Sequence, residues 1–211
     1  MKRLLLSLAF LLGLTTFASA QCVGVGGINN VPQPGLNCQQ DSIVPTYVAT
    51  GIGIIPAAAP TDIACLTGSA TKTVRVKYVT VSGTAGTAIN IVAALHKHAS
   101  ADTGGTKGTS LLVPVPYKMD SSFAAPTATA ASYTANPTIN DATPGVISAK
   151  TVFLPATGTA VAGGATEWFF NAEGFSPPVL RGVAQEICVN LAGVTTPSSG
   201  LMTVSFIWAE Y

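Results

Sequence analysis

Two histidines, His96 and His98, are the residues whose type and spacing point most directly to chemistry. They are the only histidines in the chain, and side chains two residues apart on a strand lie on the same face. Two imidazoles so placed could bind Zn²⁺ or Cu²⁺ together with a third ligand such as Asp102. The alternative is that the His-Lys-His segment solvates an exposed strand end. We favour this alternative and expect neither a metal nor a cofactor.

The sequence carries no motif for nucleophilic catalysis. It has no G-x-S-x-G segment, and the glycines at 24–27 lack the Lys-Ser/Thr pair and the following helix of a phosphate-binding loop. Glycoside hydrolysis needs two carboxylates, and those available are Glu167, Glu173, Glu186, Asp120 and Asp141. Scattered carboxylates occur in most proteins, so we expect no catalytic residue and no enzyme activity, with a hydrolase as the least favoured alternative.

The large aromatic residues form a second candidate site. The segment Glu167-Trp168-Phe169-Phe170 and the distant Trp208 could supply a platform for a sugar or a peptide. Large rings more often fill the core of a β-sandwich, where they dominate the buried area. We therefore expect these rings in the core.

The first twenty residues have the pattern of a cleavable secretion signal. Lys2 and Arg3 precede the apolar run Leu4–Leu14, which is too short to span a membrane, and Ala18-Ser19-Ala20 follows. We expect cleavage after Ala20. Gln21 is not the small residue that lipoprotein processing requires before Cys22. The pattern predicts a secreted, periplasmic or extracellular protein.

The charge of the chain argues against a nucleic-acid partner. The chain contains ten Lys and Arg residues and nine Asp and Glu residues. Loss of Lys2 and Arg3 with the signal leaves eight basic and nine acidic residues, a net charge of −1. Nucleic-acid binding needs a clustered basic surface instead. Only 9% of the residues are charged, which indicates that part of the surface is covered in an assembly, unless the surface is simply neutral.

Periodicity and turn residues predict the organisation of the mature chain. Residues 21–60 are rich in Gly and Pro and predict an extended arm with at most one or two short strands. Residues 61–211 show about eight short strands and no amphipathic helix, which predicts an antiparallel β-sandwich of jelly-roll type. The expected strands are Thr71–Ser82, Ala88–His98, Leu111–Tyr117, Ala128–Tyr133, Val146–Leu154, Thr166–Phe170, Pro178–Leu191 and Leu201–Glu210. The last two are expected to pair and close a sheet, with Met202, Val204, Phe206 and Trp208 on the core face.

Four cysteines in an exported chain predict two disulfides. Three connectivities are open, and we choose Cys22–Cys38 and Cys65–Cys188. The first would close a loop in the arm, and the second would join the start of the β domain to one of its last strands. The alternative for Cys65 and Cys188 is a pair of buried free thiols.

Two stretches carry a resemblance to a known group of proteins. The segments Asp62–Gly83 (DIACLTGSATKTVRVKYVTVSG) and Val179–Glu210, above all LRGVAQEICVNL and LMTVSFIWAE, resemble the jelly-roll structural proteins of tailed-bacteriophage virions, which decorate heads or form fibres. The resemblance covers about residues 62–211. It implies assembly, usually as a homotrimer, or adhesion, and it transfers no active-site residue.

The secretion signal sets this chain apart from that group, because tailed phages assemble in the cytoplasm. Either the domain is used outside the cell or it belongs to an unusual virion. The sequence thus predicts a secreted, non-catalytic structural module that self-associates. The alternative is an extracellular module that binds a glycan or a protein through its loops.

Overall fold

The computed structural model describes residues 44–56, 62–107, 117–139, 141, 145–159, 163–170, 176–192 and 199–211. The chain divides into two compact units, Met1–Asp41 and Ser42–Tyr211. All of the first unit lies outside the described residues, including the predicted signal, Cys22 and Cys38. The fold below is that of the second unit.

Two antiparallel sheets make up the described structure, which contains no helix. The strands are β1 (Thr46–Ile54), β2 (Asp62–Thr67), β3 (Thr73–Thr84), β4 (Ile89–His98), β5 (Thr106–Lys107), β6 (Tyr117–Lys118), β7 (Thr129–Ala135), β8 (Gly145–Leu154), β9 (Thr166–Phe169), β10 (Val179–Arg181), β11 (Glu186–Asn190) and β12 (Leu201–Glu210). The first sheet has the order β10-β3-β12-β1-β6, with β9 also pairing with β3. The second sheet has the order β5-β7-β2-β11-β4-β8.

The pairing of the strands is that of a jelly roll. β1 pairs with β12, β2 with β11, β3 with β9 and β10, and β4 with β8. The first strand in the sequence thus pairs with the last, and each following strand pairs with one that lies nearer the middle of the chain. This is the pattern of a long hairpin rolled into two sheets. The short strands β5 and β6, and β7, lie between β4 and β8 in the chain. The predicted β-sandwich of jelly-roll type is therefore confirmed.

The core lies between the two sheets and follows the period of two that the sequence shows. In β12, Met202, Val204, Phe206 and Trp208 are buried on the core face, as predicted. Trp208 packs against Tyr47 of β1, with ring centroids 5.8 Å apart. Burying a side chain of this kind stabilises the fold by about 1.5–3 kcal/mol. The inward faces of β2, β4 and β11 supply the opposite wall of this core.

The prediction that Pro178–Leu191 is one strand paired with Leu201–Glu210 is wrong. The segment forms β10 in the first sheet and β11 in the second, and Gly182 between them has a φ of +77°, which glycine adopts readily. β12 instead lies between β1 and β3. In a jelly roll consecutive strands cross from one sheet to the other, so neighbours in the sequence need not be neighbours in a sheet.

The segment Thr46–Ile54, which the sequence analysis placed in the arm, is a strand of the first sheet. Gly53 has a φ of +68° at an irregularity in its pairing with β12, so the glycines that argued against regular structure are accommodated there. β3 also continues to Thr84, two residues beyond the expected end of this strand at Ser82. Of the strand expected at Leu111–Tyr117, residues 111–116 lie outside the described residues.

Candidate functional site

A cluster of buried polar residues lies on the outer face of the second sheet. β2, β11 and β4 are neighbours in that sheet, and their cross-strand register places Glu186 beside His98, and Cys188 beside both Cys65 and His96. We call Asp62, His96, His98, Asp102, Glu186 and Asn190 the polar cluster. Four of these, Asp62, His98, Glu186 and Asn190, are buried although they lie on the face away from the core.

The segment after β4 covers this cluster. The Asp102 N–H donates a hydrogen bond of 2.6 Å to Glu186 Oε1, and the Ala99 N–H donates one of 2.8 Å to Asp141 Oδ2. Thr103 and Thr138 exchange backbone hydrogen bonds of 3.1 and 2.7 Å. These hydrogen bonds hold residues 99–103 over the outer face. The segment therefore shields the polar cluster from water.

Both histidines occupy the positions that their spacing predicts, but their surroundings differ from those expected. β4 has β11 on one side and β8 on the other, so it is not an edge strand. His98 is fully buried and His96 partly so, with ring centroids 6.1 Å apart. The favoured interpretation of an exposed, solvated His-Lys-His strand end therefore does not describe this segment.

Asp62 reaches the histidines because of an irregularity in β2. The pairing of β2 with β11 shifts between Ala64↔Val189 and Asp62↔Asn190, so Ile63 packs into the core while Asp62 joins the outer face. Asp62 Oδ2 lies 3.1 Å from His98 Nε2. One side-chain atom of each of Asp62, His96 and His98 lies within 4.8 Å of the other two. The third member of this group is thus Asp62, not the predicted Asp102.

Asn190 fixes the orientation of the Asp62 carboxylate. The Asn190 Nδ2 group donates a hydrogen bond of 2.6 Å to Asp62 Oδ1. Asn190 Oδ1 accepts one of 2.8 Å from the Ala192 N–H, so both ends of the amide are engaged. This leaves the second carboxylate oxygen, Oδ2, directed at His98.

Burial and charge act in opposite directions on the Asp62–His98 pair. Burial alone would raise the pKa of Asp62, but hydrogen bonds from His98 and Asn190 and the charge of His98 hold it below its usual value. Burial likewise lowers the pKa of His98, but the hydrogen bond and charge of Asp62 outweigh it, and the pKa of His98 is raised. The two side chains therefore form a buried ion pair.

The other two acids of the cluster, Asp102 and Glu186, have pKa values above their ordinary values. Burial, followed by the hydrogen bond and charge of Asp62, raises the pKa of Asp102 to about 7. Burial is also the main cause of the raised pKa of Glu186, and it lowers the pKa of His96. Asp102 lies within 4.8 Å of Asp62. Three carboxyl groups and two imidazoles thus share one covered space.

Two ring nitrogens of the cluster have no hydrogen-bond partner within the described part of the chain. They are Nδ1 of His96 and Nδ1 of His98. Buried polar side-chain atoms in proteins are in the large majority of cases hydrogen-bonded. Both nitrogens lie in one covered space, so the side chains alone do not satisfy this cluster.

The predicted disulfide between Cys65 and Cys188 is confirmed and lies beside the cluster. The two residues are directly opposite on β2 and β11, with Cα atoms 4.1 Å apart. They pack with Tyr133 of β7 on the outer face. Cys22 and Cys38 lie outside the described residues, so their pairing remains a prediction.

Of the five carboxylates considered for hydrolysis, Glu186 belongs to the polar cluster and Asp141 borders it through Ala99. Glu167 lies in β9 of the first sheet, and Asp120 lies in an exposed turn. Glu173 is outside the described residues. The acidic pair that matters in the structure, Asp62 and Asp102, was not among the five. No local signal indicates Asp62, because regular alternation would place it on the face opposite Cys65, three residues later.

The aromatic segment divides between core and surface. Trp168 and Trp208 are buried in the core, as expected, whereas Phe169 is 59% exposed. Phe169 borders a groove of about 650 Å³ between the edge strands β8 and β9. Lys97 and Lys150 also line the groove, and Lys150 Nζ donates a hydrogen bond of 2.6 Å to the Glu167 carbonyl oxygen.

A row of large apolar side chains crosses the outer face of the first sheet. Successive pairings place one beside the next over five strands, in the order Tyr117, Val48, Ile207, Tyr78 and Phe169. We call these five residues the apolar row. Tyr117 is 73% exposed, and the three central members are partly exposed. The adjacent row of paired residues contains Thr50, Ser205 and Thr80, whose side chains are uncharged, and ends at Glu167.

Within the described ranges, no helix is long and apolar enough to cross a membrane. A disulfide such as Cys65–Cys188 is typical of proteins in oxidising compartments. No protein-family model, curated protein or solved structure matches this chain.

Proposed function

We propose that this chain is an exported, non-catalytic structural module that self-associates through the outer face of its first sheet, with a trimer as the favoured state. The observation that carries the proposal is the apolar row. Where one face of an antiparallel sheet lies in water, the residues that each strand presents on that face are normally polar. Here two tyrosines, a phenylalanine, a valine and an isoleucine lie side by side across β6, β1, β12, β3 and β9, and such a patch is typical of an interaction site.

The size of the face suits a protein interface. Strands lie about 4.8 Å apart and rise about 3.3 Å per residue, so these five strands, which have two to twelve residues each, offer roughly 600 Å². A standard interface buries about 800 Å² on each partner. A closed cyclic assembly would bury the same patch in every copy. The low charge of the sequence and its resemblance to virion jelly rolls support the same function.

The test is the mass of the native particle. Light scattering and native mass spectrometry of the mature protein at micromolar concentration are expected to give a multiple of the chain mass, three for the favoured trimer. Phe169→Lys and Tyr117→Lys should shift the particle towards the monomer, because each places a charge in the apolar row.

Val183→Lys is the matched control. Val183 is 58% exposed in the turn between β10 and β11, away from the apolar row. Val183→Lys should leave the mass of the native particle unchanged. A wild-type monomer throughout this concentration range would overturn the proposal.

The groove beside Phe169 favours a second candidate function, the binding of a glycan or a protein. An exposed ring can stack on a sugar, and two lysines give the groove an affinity for acidic groups. Titration with acidic oligosaccharides tests this function. Lys97→Ala should weaken binding without changing the particle mass, since Lys97 is not part of the apolar row. Failure of every such ligand to bind would leave self-association as the function.

A further inference from the structure

We propose that Asp62, His96 and His98 form a binding site for one divalent transition-metal ion, Zn²⁺ in the first instance, which fastens β2 to β4 beneath the segment 99–103. The inference goes beyond the proposed function, because it concerns the opposite sheet and does not depend on self-association. It rests on ligand type, distance, burial and charge.

The ligand set is the first argument. Two imidazoles and one carboxylate are the ligand types that Zn²⁺ takes in proteins, with a fourth position for water or another oxygen. Ca²⁺ takes six to eight oxygen ligands instead, and imidazole nitrogen favours the later transition metals. The two histidines are placed on one face by the alternation of β4, and Asp62 joins them through the irregularity in β2.

The distances are the second argument. A tetrahedral ion with bonds of about 2.0–2.1 Å holds its ligand atoms about 3.3 Å apart. His98 Nε2 and Asp62 Oδ2 are 3.1 Å apart, and all three side chains offer atoms within 4.8 Å of one another. Closing the set therefore needs a shift of at most about 1.5 Å, which falls on His96, the only partly exposed member of the three.

The unsatisfied atoms are the third argument. His98 is fully buried, and its Nδ1 has no hydrogen-bond partner among the described residues; the same holds for the buried Nδ1 of His96. A buried imidazole normally engages both nitrogens. An ion bound at Nδ1 of His96 would supply the partner that this atom lacks, whereas in His98 it would take Nε2, which faces Asp62, and would leave the proton on Nδ1.

The surrounding charge is the fourth argument. The carboxyl groups of Asp62, Asp102 and Glu186 surround the site, and a divalent cation that replaces the His98 proton would offset the charge of Asp62. Asn190 holds Asp62 Oδ1 by a hydrogen bond of 2.6 Å, and Oδ2, which faces His98 Nε2 at 3.1 Å, is the oxygen that would bind the ion together with that ring. Orientation of a ligand carboxylate by a neighbouring donor is a common feature of metal sites. A water molecule would take the fourth position.

The test is binding of the metal alone to the full chain, purified without a histidine tag. After treatment with a chelator and dialysis against Zn²⁺, elemental analysis should give one ion per chain, and Zn²⁺ should raise the thermal midpoint. Co²⁺ should give the intense visible absorption of a four-coordinate site. His96→Gln should lower the affinity at least about 10- to 100-fold and abolish the rise in midpoint, whereas Asp120→Asn, in an exposed turn, should change neither.

His96→Gln is preferred to a change at the fully buried His98, since a substitution there could prevent folding. Asp62→Asn is the second variant, because it keeps the size and the hydrogen-bonding capacity of the side chain. Less than about 0.1 ion per chain in the folded wild type, or equal affinity in wild type and His96→Gln, would overturn the proposal. The Asp62–His98 contact would then be a buried ion pair without a metal.

Discussion

Glu210, at the end of β12, accepts two hydrogen bonds from the backbone N–H of Thr127, of 3.0 and 3.1 Å, and one of 2.8 Å from its hydroxyl group. The Ala128 N–H and the Trp208 indole N–H donate to the same carboxylate at 2.9 and 3.2 Å. Glu210 is only 1% exposed. One buried carboxylate therefore attaches the segment before β7, in the second sheet, to the central strand of the first sheet.

Glu210 makes the stability of the fold sensitive to acid. Burial would raise its pKa, but the hydrogen bonds from Ala128 and Thr127 outweigh this and hold the pKa below its ordinary value of 4.5. The contribution of the ionised Glu210 to the free energy of unfolding is therefore complete above about pH 4.5. It is lost as the pH falls through the lower pKa that Glu210 has in the folded state. We expect Glu210→Gln to lower the free energy of unfolding at pH 7 by about 1–3 kcal/mol. It should also flatten the dependence of stability on pH below 4.5.

Urea unfolding of wild type and variant between pH 3 and 7 measures both effects. Glu167→Gln, in an exposed position on β9, is the control and should change stability little. Equal pH profiles for wild type and Glu210→Gln would contradict the assignment.

Removal of the Cys65–Cys188 disulfide should be the largest single loss of stability. The bond closes a loop with a sequence separation of 123 residues, for which loop-closure entropy predicts about 4–5 kcal/mol. Thermal unfolding of the Cys65→Ala/Cys188→Ala double variant measures the loss. Cys22→Ser/Cys38→Ser, which removes the shorter predicted bridge, should cost less, about 3 kcal/mol. Non-reducing peptide mapping checks the connectivity, and alkylation of Cys65 in the native, unreduced protein would disprove it.

Gly83 is required by the close approach of β12 to β3. A Cβ atom added there would lie 2.5 Å from the carbonyl oxygen of Leu201 and 3.0 Å from the Cα atom of Met202, both backbone atoms that cannot move aside independently. We expect Gly83→Ala to destabilise the fold by about 1–3 kcal/mol, measured by chemical denaturation. Gly164→Ala, whose added Cβ would meet no atom within 4 Å, should be neutral. Similar stabilities for the two variants would contradict this packing.

Processing at the N-terminus is a separate prediction from the sequence. The mature chain should begin at Gln21 after cleavage following Ala20, and Cys22 should carry no lipid, because Gln21 is not a small residue. The intact mass of the secreted protein measures this directly. A mass that includes residues 1–20, or an added diacylglycerol group, would refute it.

Features that depend on neighbouring residues could be predicted from the sequence. The alternation of Val74, Val76 and the residues of β12 gave the strands and their core faces, because the period of two is local. The spacing of His96 and His98 placed both rings on one face for the same reason. The disulfide was also predictable, since only a few pairings are open to four cysteines.

Features that depend on pairing between distant strands could not be predicted. Nothing local indicates that β11 and β12, which are consecutive, belong to different sheets. Asp62 enters the polar cluster only because the register of β2 shifts against β11, and a shift of one residue turns a side chain to the other face. His98 is buried because residues 99–103 return over the sheet and are held there by Glu186.

The central position of β12 in the first sheet has a consequence for the order of folding. β1 and β3 are made early, yet each pairs with β12, and the register joins Thr50 to Ser205 across 155 residues. Before the ribosome has released Leu201–Glu210, this sheet lacks its middle strand and the core lacks Phe206 and Trp208. Such distant contacts also slow folding. We therefore expect the first sheet to form only after Leu201–Glu210 has left the ribosome, however early its outer strands are made.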